Sequence, residues 1–262
     1  MEAEPRNVSV KRHESDGRVR FKYSAIESDT SLPEVLASRG LILDSADDFS
    51  VVSPGFPKFF NLGESESAEL DWSSARALEK FDGSCVVLYP WRGEWVPHTL
   101  GSIEGKNPVQ LPKSVEEHRD ASSTFGELFW EAWEKVGYRS PSSALNHNYW
   151  YVFELCTPYN RIVTPYEDWR LPLISVRSRH TFGERDPREF DYFFEVPRSV
   201  SVQNPDGVLE LFEDLEDTDE GFVVADSDFN RVKMKQDSYF ELHKLATGTL
   251  SGKHGILEAV LN

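Results

Sequence analysis

The apolar runs of this chain are short and repeatedly cut by turns, and that punctuation excludes more folds than any other feature. Cys85 to Tyr89, Tyr149 to Cys156, Leu171 to Val176, Phe222 to Ala225 and Arg231 to Met234 read as strands, with Gly93 suited to a turn into Trp95-Val96. Ser38 to Asp44 reads as a loop entering a strand. The clearest helix runs from about Ser123 to Val136. Phe125, Leu128, Phe129, Ala132, Trp133 and Val136 recur there at helical spacing, with Ser123 as N-cap, Glu127 after it and Gly137 as the stop. Further helices are expected over Ser65 to Leu78, Asp206 to Leu215 and Tyr239 to Ala246, while Val51 to Leu62 carries too much Pro and Gly for a regular element. Helices scattered irregularly among short strands favour an α+β fold of antiparallel sheets with flanking helices over a doubly wound sheet. Residues 1–20 read as a loosely ordered start, and no repeat or linker divides the rest, so residues 1–262 are expected to form a single domain.

Charge narrows the function. The formal net charge is −17, and non-specific affinity for nucleic acid comes almost entirely from Lys and Arg on phosphates. A broad grip on duplex is therefore unexpected. The acid is concentrated in Glu64 to Asp71 and Glu210 to Glu220, which leaves room for a basic pocket on an acidic body. No apolar run approaches the ~20 residues of a membrane-spanning helix. Met1 to Gly17 has no apolar signal-peptide core, so an intracellular, cytoplasmic location is expected. Cys85 and Cys156 show no zinc or disulfide pattern and read as buried small hydrophobes.

Five blocks follow one another in an order that suits nucleotide transfer by a lysine. They are Lys80-Phe81-Asp82-Gly83-Ser84, Phe153-Glu154-Leu155, Asn160-Arg161-Ile162-Val163, Glu220-Gly221-Phe222-Val223-Val224 and Val232-Lys233-Met234-Lys235. A lysine attacks an α-phosphate only as the free amine, so its pKa must fall from a reference near ~10.4. Burial and neighbouring cations push it down, and Lys233 and Lys235, two apart on a strand, would face one pocket with Met234 turned away. They would also stabilise developing phosphate charge. Taken alone, two lysines on a strand are more often a solvated face. Glu154 sits among Tyr, Trp, Val, Phe and Leu, where a carboxylate needs a partner: ribose hydroxyls, a metal's water, or an ion pair with an arginine such as Arg161. Glu220-Gly221 suits a magnesium-bound water near a phosphate, or is merely an acidic turn.

The ordered set resembles the T4 RNA ligase 1-like family of covalent lysyl-nucleotidyltransferases, over about Arg39 to Tyr239. Phe56-Pro57-Lys58-Phe59-Phe60-Asn61 and Asn160 to Val163 are its most specific pieces. The resemblance implies a nucleotidyltransferase (ATP-grasp-like) fold without an OB-fold, and an ATP-dependent RNA ligase. Such an enzyme joins RNA 5′-phosphate and 3′-hydroxyl ends through lysyl-AMP and RNA-adenylate, in RNA or tRNA repair. It implies Lys80 as nucleophile, with Lys233 and Lys235 as catalytic and phosphate-binding lysines. Arg39, Lys58, Phe60, Asp82, Gly83, Glu154 and Glu220 would bind nucleotide, and Glu220 with Asp82 would serve magnesium. RNA ends are the implied partners; a partner protein for specificity is one option that the departures below leave open.

Two departures stand out. Leu100 occupies the place of a basic residue before Gly101-Ser102, so that phosphate contact is lost or passes to His98. The specificity domain that follows in T4 RNA ligase 1 is not in this sequence. A guanylyltransferase-like enzyme and a weakly catalytic RNA-end-binding module therefore stay open. Gly248 to Lys253 resembles a P-loop but is one spacer short, and His254 stands where Ser or Thr should be.

Overall fold

A computed structural model describes residues 7–110 and 123–246; the P-loop-like Gly248 to Lys253 lies outside these. Fourteen strands form three sheets, antiparallel except at one edge. Sheet one runs in order β1 (Val8–Arg12), β2 (Arg18–Tyr23), β3 (Leu41–Asp44) and β4 (Ser50–Ser53). Sheet two has β9 (Tyr149–Leu155) at its centre, between β10 (Leu173–Ser178) and β7 (Ser84–Trp91), with β11 (Glu184–Arg185) and β8 (Glu94–His98) at its edges. Sheet three is ordered β12 (Ser199–Ser201), β6 (Arg76–Glu79), β13 (Gly221–Ala225), β14 (Arg231–Lys235) and β5 (Phe60–Asn61), the last pair parallel. Five helices flank them: α1 (Pro33–Ala37), α2 (Phe125–Lys135), α3 (Pro141–Ala144), α4 (Pro205–Glu210) and α5 (Asp237–Ala246).

Side-chain alternation explains why β9 is buried on both faces. Tyr151, Phe153 and Leu155 pack on Leu128, Phe129, Ala132 and Trp133 of α2. Trp150 and Val152 face the other way, with Val87 and Tyr89 of β7, onto Ile42 and Val52 of sheet one. The Trp150 indole N–H donates to the Val52 carbonyl at 2.7 Å, pinning the two sheets together. Glu154 lies on this second face, beyond Val152. In sheet three, Phe222, Val224 and Val232 pack inward with Val208 of α4 and Met234, which turns Val223, Lys233 and Lys235 to the opposite side. Among the described residues no helix is long and apolar enough to cross a membrane.

Several expectations are corrected. From residue 8 the N-terminal stretch is not loosely ordered: β1 and β2 form a full antiparallel hairpin within residues 8–23, while residues 1–6 lie outside the described residues. Its charge hid it, because Arg18, 2 % exposed, is buried against the Tyr89 hydroxyl, Asp16 and Glu104. Ser65 to Leu78 is not a helix. The Asp71 carboxylate accepts from the Ser73 amide at 3.0 Å and hydroxyl at 2.6 Å, a local turn that competes with helix, and Arg76–Glu79 is claimed by β12 and β13. Ser50–Ser53 and Phe60–Asn61 are strands despite the Pro and Gly between them. The N-cap of α2 is Thr124 rather than Ser123. Its hydroxyl accepts from the Glu127 amide at 3.3 Å, and Glu127 accepts from the Thr124 amide at 2.8 Å.

Candidate active site

Strand β6 ends at Glu79, and the next amide, that of Lys80, donates to the Gly221 carbonyl at 3.0 Å. That bond sets Lys80 beside the residue preceding β13. The Lys80 ammonium lies 2.6 Å from one oxygen of Glu220, and the Lys235 ammonium 2.7 Å from the other. Glu220 is 5 % exposed. Burial works against its carboxylate, yet Lys80 and Lys235 hold it below the usual range.

The same arrangement reverses one expectation. Burial pushes Lys80 down, but Glu220 and Glu154 outweigh burial and hold its ammonium above the ordinary lysine value. The depressed lysine is Lys233, pushed down to about 8 by burial and by Lys235 and Lys80. Glu154 moves the other way. Burial, with Glu220 and Asp82 nearby, pushes it up to about 8 against the pull of Lys80. Lys80 is thus held as the protonated half of an ion pair with Glu220.

The loop after Lys80 is braced from below. Asp82, expected near metal and nucleotide, accepts instead from the Val163 and Thr164 amides at 2.7 and 2.8 Å and from the Tyr239 hydroxyl at 2.8 Å. Both its oxygens accept hydrogen bonds within a buried site, which fixes the loop that carries Lys80. The Asp82 amide in turn donates to the Tyr166 hydroxyl at 3.1 Å. Asn160 continues the brace, donating to the Leu155 carbonyl at 2.7 Å and the Ser84 hydroxyl at 3.1 Å. The Asn160 to Val163 block is therefore a strap under the loop that follows Lys80. A Cβ on Gly83 would lie 2.5 Å from the Leu155 carbonyl oxygen, which is why the loop needs glycine there. Sequence reasoning missed Tyr166 and Tyr239, each a lone aromatic with no local signal.

These groups line one end of a cavity of about 620 Å³ between the three sheets. Seven cationic side chains and three carboxylates face it, so a basic pocket does sit on the acidic body. Arg39, Lys58, Lys80, Gly83, Glu154, Glu220, Lys233 and Lys235 all reach its lining. The Arg39 guanidinium is anchored on the Phe56 carbonyl at 2.7 Å. Gly55, at φ +68°, lets that loop pass where a Cβ would come within 2.2 Å of the Arg39 carbonyl oxygen.

Phe60 is a correction: it is buried beside β14, paired with Val232, under the Lys58 ammonium at 4.4 Å. Phe56 and Phe59 line the cavity instead. His98 is another, being 1 % exposed and held between the Ser53 hydroxyl at 2.7 Å and the Thr99 carbonyl at 3.2 Å. Burial pushes it down to about 4, so it supplies no cation. Leu100 lines the cavity uncharged. Lys22, Tyr23 and Arg231 also line it and were not anticipated; Arg231 is paired with Glu184.

The cluster of cations fits a polyphosphate, and the flanking aromatic rings fit a base. A divalent ion fits only as one held largely by phosphates and water, the usual habit of magnesium. Among the described residues the one set of three potential ligand groups close together is His13, Asp16 and Glu104, outside the cavity and threaded by Arg18.

Residues 37–244 match the RNA ligase family typified by T4 RNA ligase 1. An RNA ligase of Rhodothermus phage RM378 is 33% identical over 269 aligned positions, covering 81% of this chain and 61% of that protein. The chain thus spans about three fifths of that relative's length. Two structures of an archaeal ATP-dependent RNA ligase superpose with TM-scores of 0.56 and 0.58 at 15% identity, covering 98% and 97% of this chain and 66% and 65% of theirs. At that identity what is shared is the fold, an α+β nucleotidyltransferase fold.

Proposed function

Because the chain belongs to the T4 RNA ligase 1 family of RNA ligases, we propose that it is one adenylyltransferase domain that joins RNA 5′-phosphate and 3′-hydroxyl ends using ATP. The observation that carries this reading is the cluster of buried Glu220 with half-buried Lys80 and Lys235, opening onto a cationic cavity. The Lys80 amine attacks the α-phosphorus of ATP, the bond to the bridging oxygen breaks, and pyrophosphate leaves with the electron pair. Lys80 is left carrying AMP on nitrogen. An oxygen of the RNA 5′-phosphate then attacks the same phosphorus and frees the lysine. Finally a 3′-hydroxyl attacks the RNA 5′-phosphorus, and AMP departs.

Each residue has a defined task in this scheme. Lys80 must first surrender a proton, and its ion pair with Glu220 must loosen for that to happen. Lys233 and Lys235 share the cavity face and offset charge on the attacked phosphate. Glu154 meets the ribose hydroxyls, and its high pKa lets it donate as well as accept near neutral pH. Arg39 and Lys58 grip phosphate, Phe56 and Phe59 flank the base, and Gly83 admits the loop. Magnesium, when bound, would draw Glu220 toward its water shell and add positive charge at the phosphates. RNA is bound locally at its ends, with a partner protein or further domain supplying specificity.

The test mixes the protein with α-labelled ATP and magnesium, then looks for label on the denatured chain. Label on wild type and none on Lys80→Ala is the expected result. Labelling by GTP alone would favour a guanylyltransferase-like enzyme, and RNA binding without label would favour an end-binding module.

A further inference from the structure

We propose that Lys22 is a phosphate-binding residue of this cavity, supplied by sheet one from outside the part of the chain that matches the family; the inference rests on the reading above. Four observations place it there. Lys22 lines the same cavity as Lys80, Arg39 and Leu100. Its backbone is fixed, because Ser9 pairs with it across the β1–β2 ladder and the Ser9 hydroxyl donates to its carbonyl at 3.0 Å. Its direction follows from strand alternation: Arg20, two residues earlier on the same face, donates to the Leu100 carbonyl at 2.5 Å. Lys22 therefore extends along the wall that ends in Leu100 and Gly40, whose amide bonds the Phe21 carbonyl at 3.1 Å.

Its charge is also uncommitted. Lys80 and Lys235 are held by Glu220, Arg231 by Glu184, Arg39 by a carbonyl, and Lys58 and Lys233 lie over aromatic rings. Among the described residues the exposed Lys22 ammonium has no hydrogen-bond or ion-pair partner. A cation on a rigid strand, aimed into a polyanion's cavity beside an uncharged Leu100, is placed for a phosphate group. The α-phosphorus must sit at Lys80, so the group Lys22 meets is either the nucleotide's outer phosphates or the 5′-phosphate of RNA.

Lys22→Met keeps the apolar stem and removes the charge; Lys22→Arg restores it. Calorimetric titration with inorganic pyrophosphate reads the outer-phosphate site without turnover. Weakening of about three- to tenfold in Lys22→Met, with recovery in Lys22→Arg and an unchanged unfolding midpoint, is the expected result. The KM for ATP in lysine labelling should rise in parallel, with kcat moved less. If pyrophosphate binding is unchanged but transfer of AMP from labelled enzyme to a 5′-phosphorylated oligoribonucleotide needs more RNA, the phosphate is the RNA's. In Lys22→Met, adding Leu100→Lys should recover part of the loss, since it returns a charge to the same wall. Pyrophosphate and RNA curves that coincide with wild type would overturn the proposal. Absence of label on wild type with either nucleotide would instead overturn the ligase reading, and the pyrophosphate titration would still judge Lys22.

Discussion

Lys80 sits between Glu220 and Glu154, and the two carboxylates behave oppositely although they share a neighbour. Glu220 is ionised because two ammoniums meet it; Glu154, half-buried and without such a pair, is desolvated enough that its carboxyl is pushed up to about 8. The second shift sets a pH dependence. An acid whose folded pKa lies above its unfolded value contributes stability that is present below the unfolded value and lost as pH rises through the folded one. Glu154 therefore lowers stability as pH rises toward about 8, while buried His98, pushed down to about 4, works the other way below about 6.5. The unfolding midpoint should fall between about 6.5 and about 8, and Glu154→Gln should flatten that slope; a slope unchanged by the substitution would contradict the assignment. Asp82 gives a second prediction at this scale. Asp82→Ala would leave the Val163 and Thr164 amides without their acceptor in a largely buried strap, costing about 2–4 kcal/mol. Denaturant titration measures that cost, and lysine labelling should fall with it.

At the scale of elements, legibility followed how local the cause was. The stripe of α2, the strands β7, β9, β13 and β14, and the face shared by Lys233 and Lys235 were written in periodicity alone. The hairpin joining β7 to β8 was legible too, because Gly93, with Arg92 also at positive φ, makes the tight two-residue turn its position suggests. What was not legible depended on partners far along the chain. Residues Arg76–Glu79 are a strand because β12 and β13 flank them, and Phe60 turns from the cavity because β14 pairs beside it. Lys22 was hidden for the same reason: nothing near it in sequence announces sheet one. Where a local cap does decide, it can be measured. Thr124→Ala removes the hydroxyl half of the α2 capping box and should cost about 1 kcal/mol by denaturant titration.

Across the whole molecule, a net charge of −17 coexists with a cavity faced by seven cations and three carboxylates. Under the proposed function, an acidic body would offer RNA little beyond the phosphates that enter the cavity. Affinity for a single-stranded 5′-phosphorylated end should then show a shallow salt dependence, with log K falling against log salt at a slope on the order of −2, the value for about three phosphates. Fluorescence anisotropy over a salt series measures it, and a slope several times steeper would mean a larger RNA footprint than the cavity provides. One bond carries a consequence at this scale. The Tyr239 hydroxyl joins α5, the last described helix, to Asp82, two residues from Lys80. That single buried bond ties the pose of α5 to the loop behind Lys80, so Tyr239→Phe, which removes it, should loosen both ends at once.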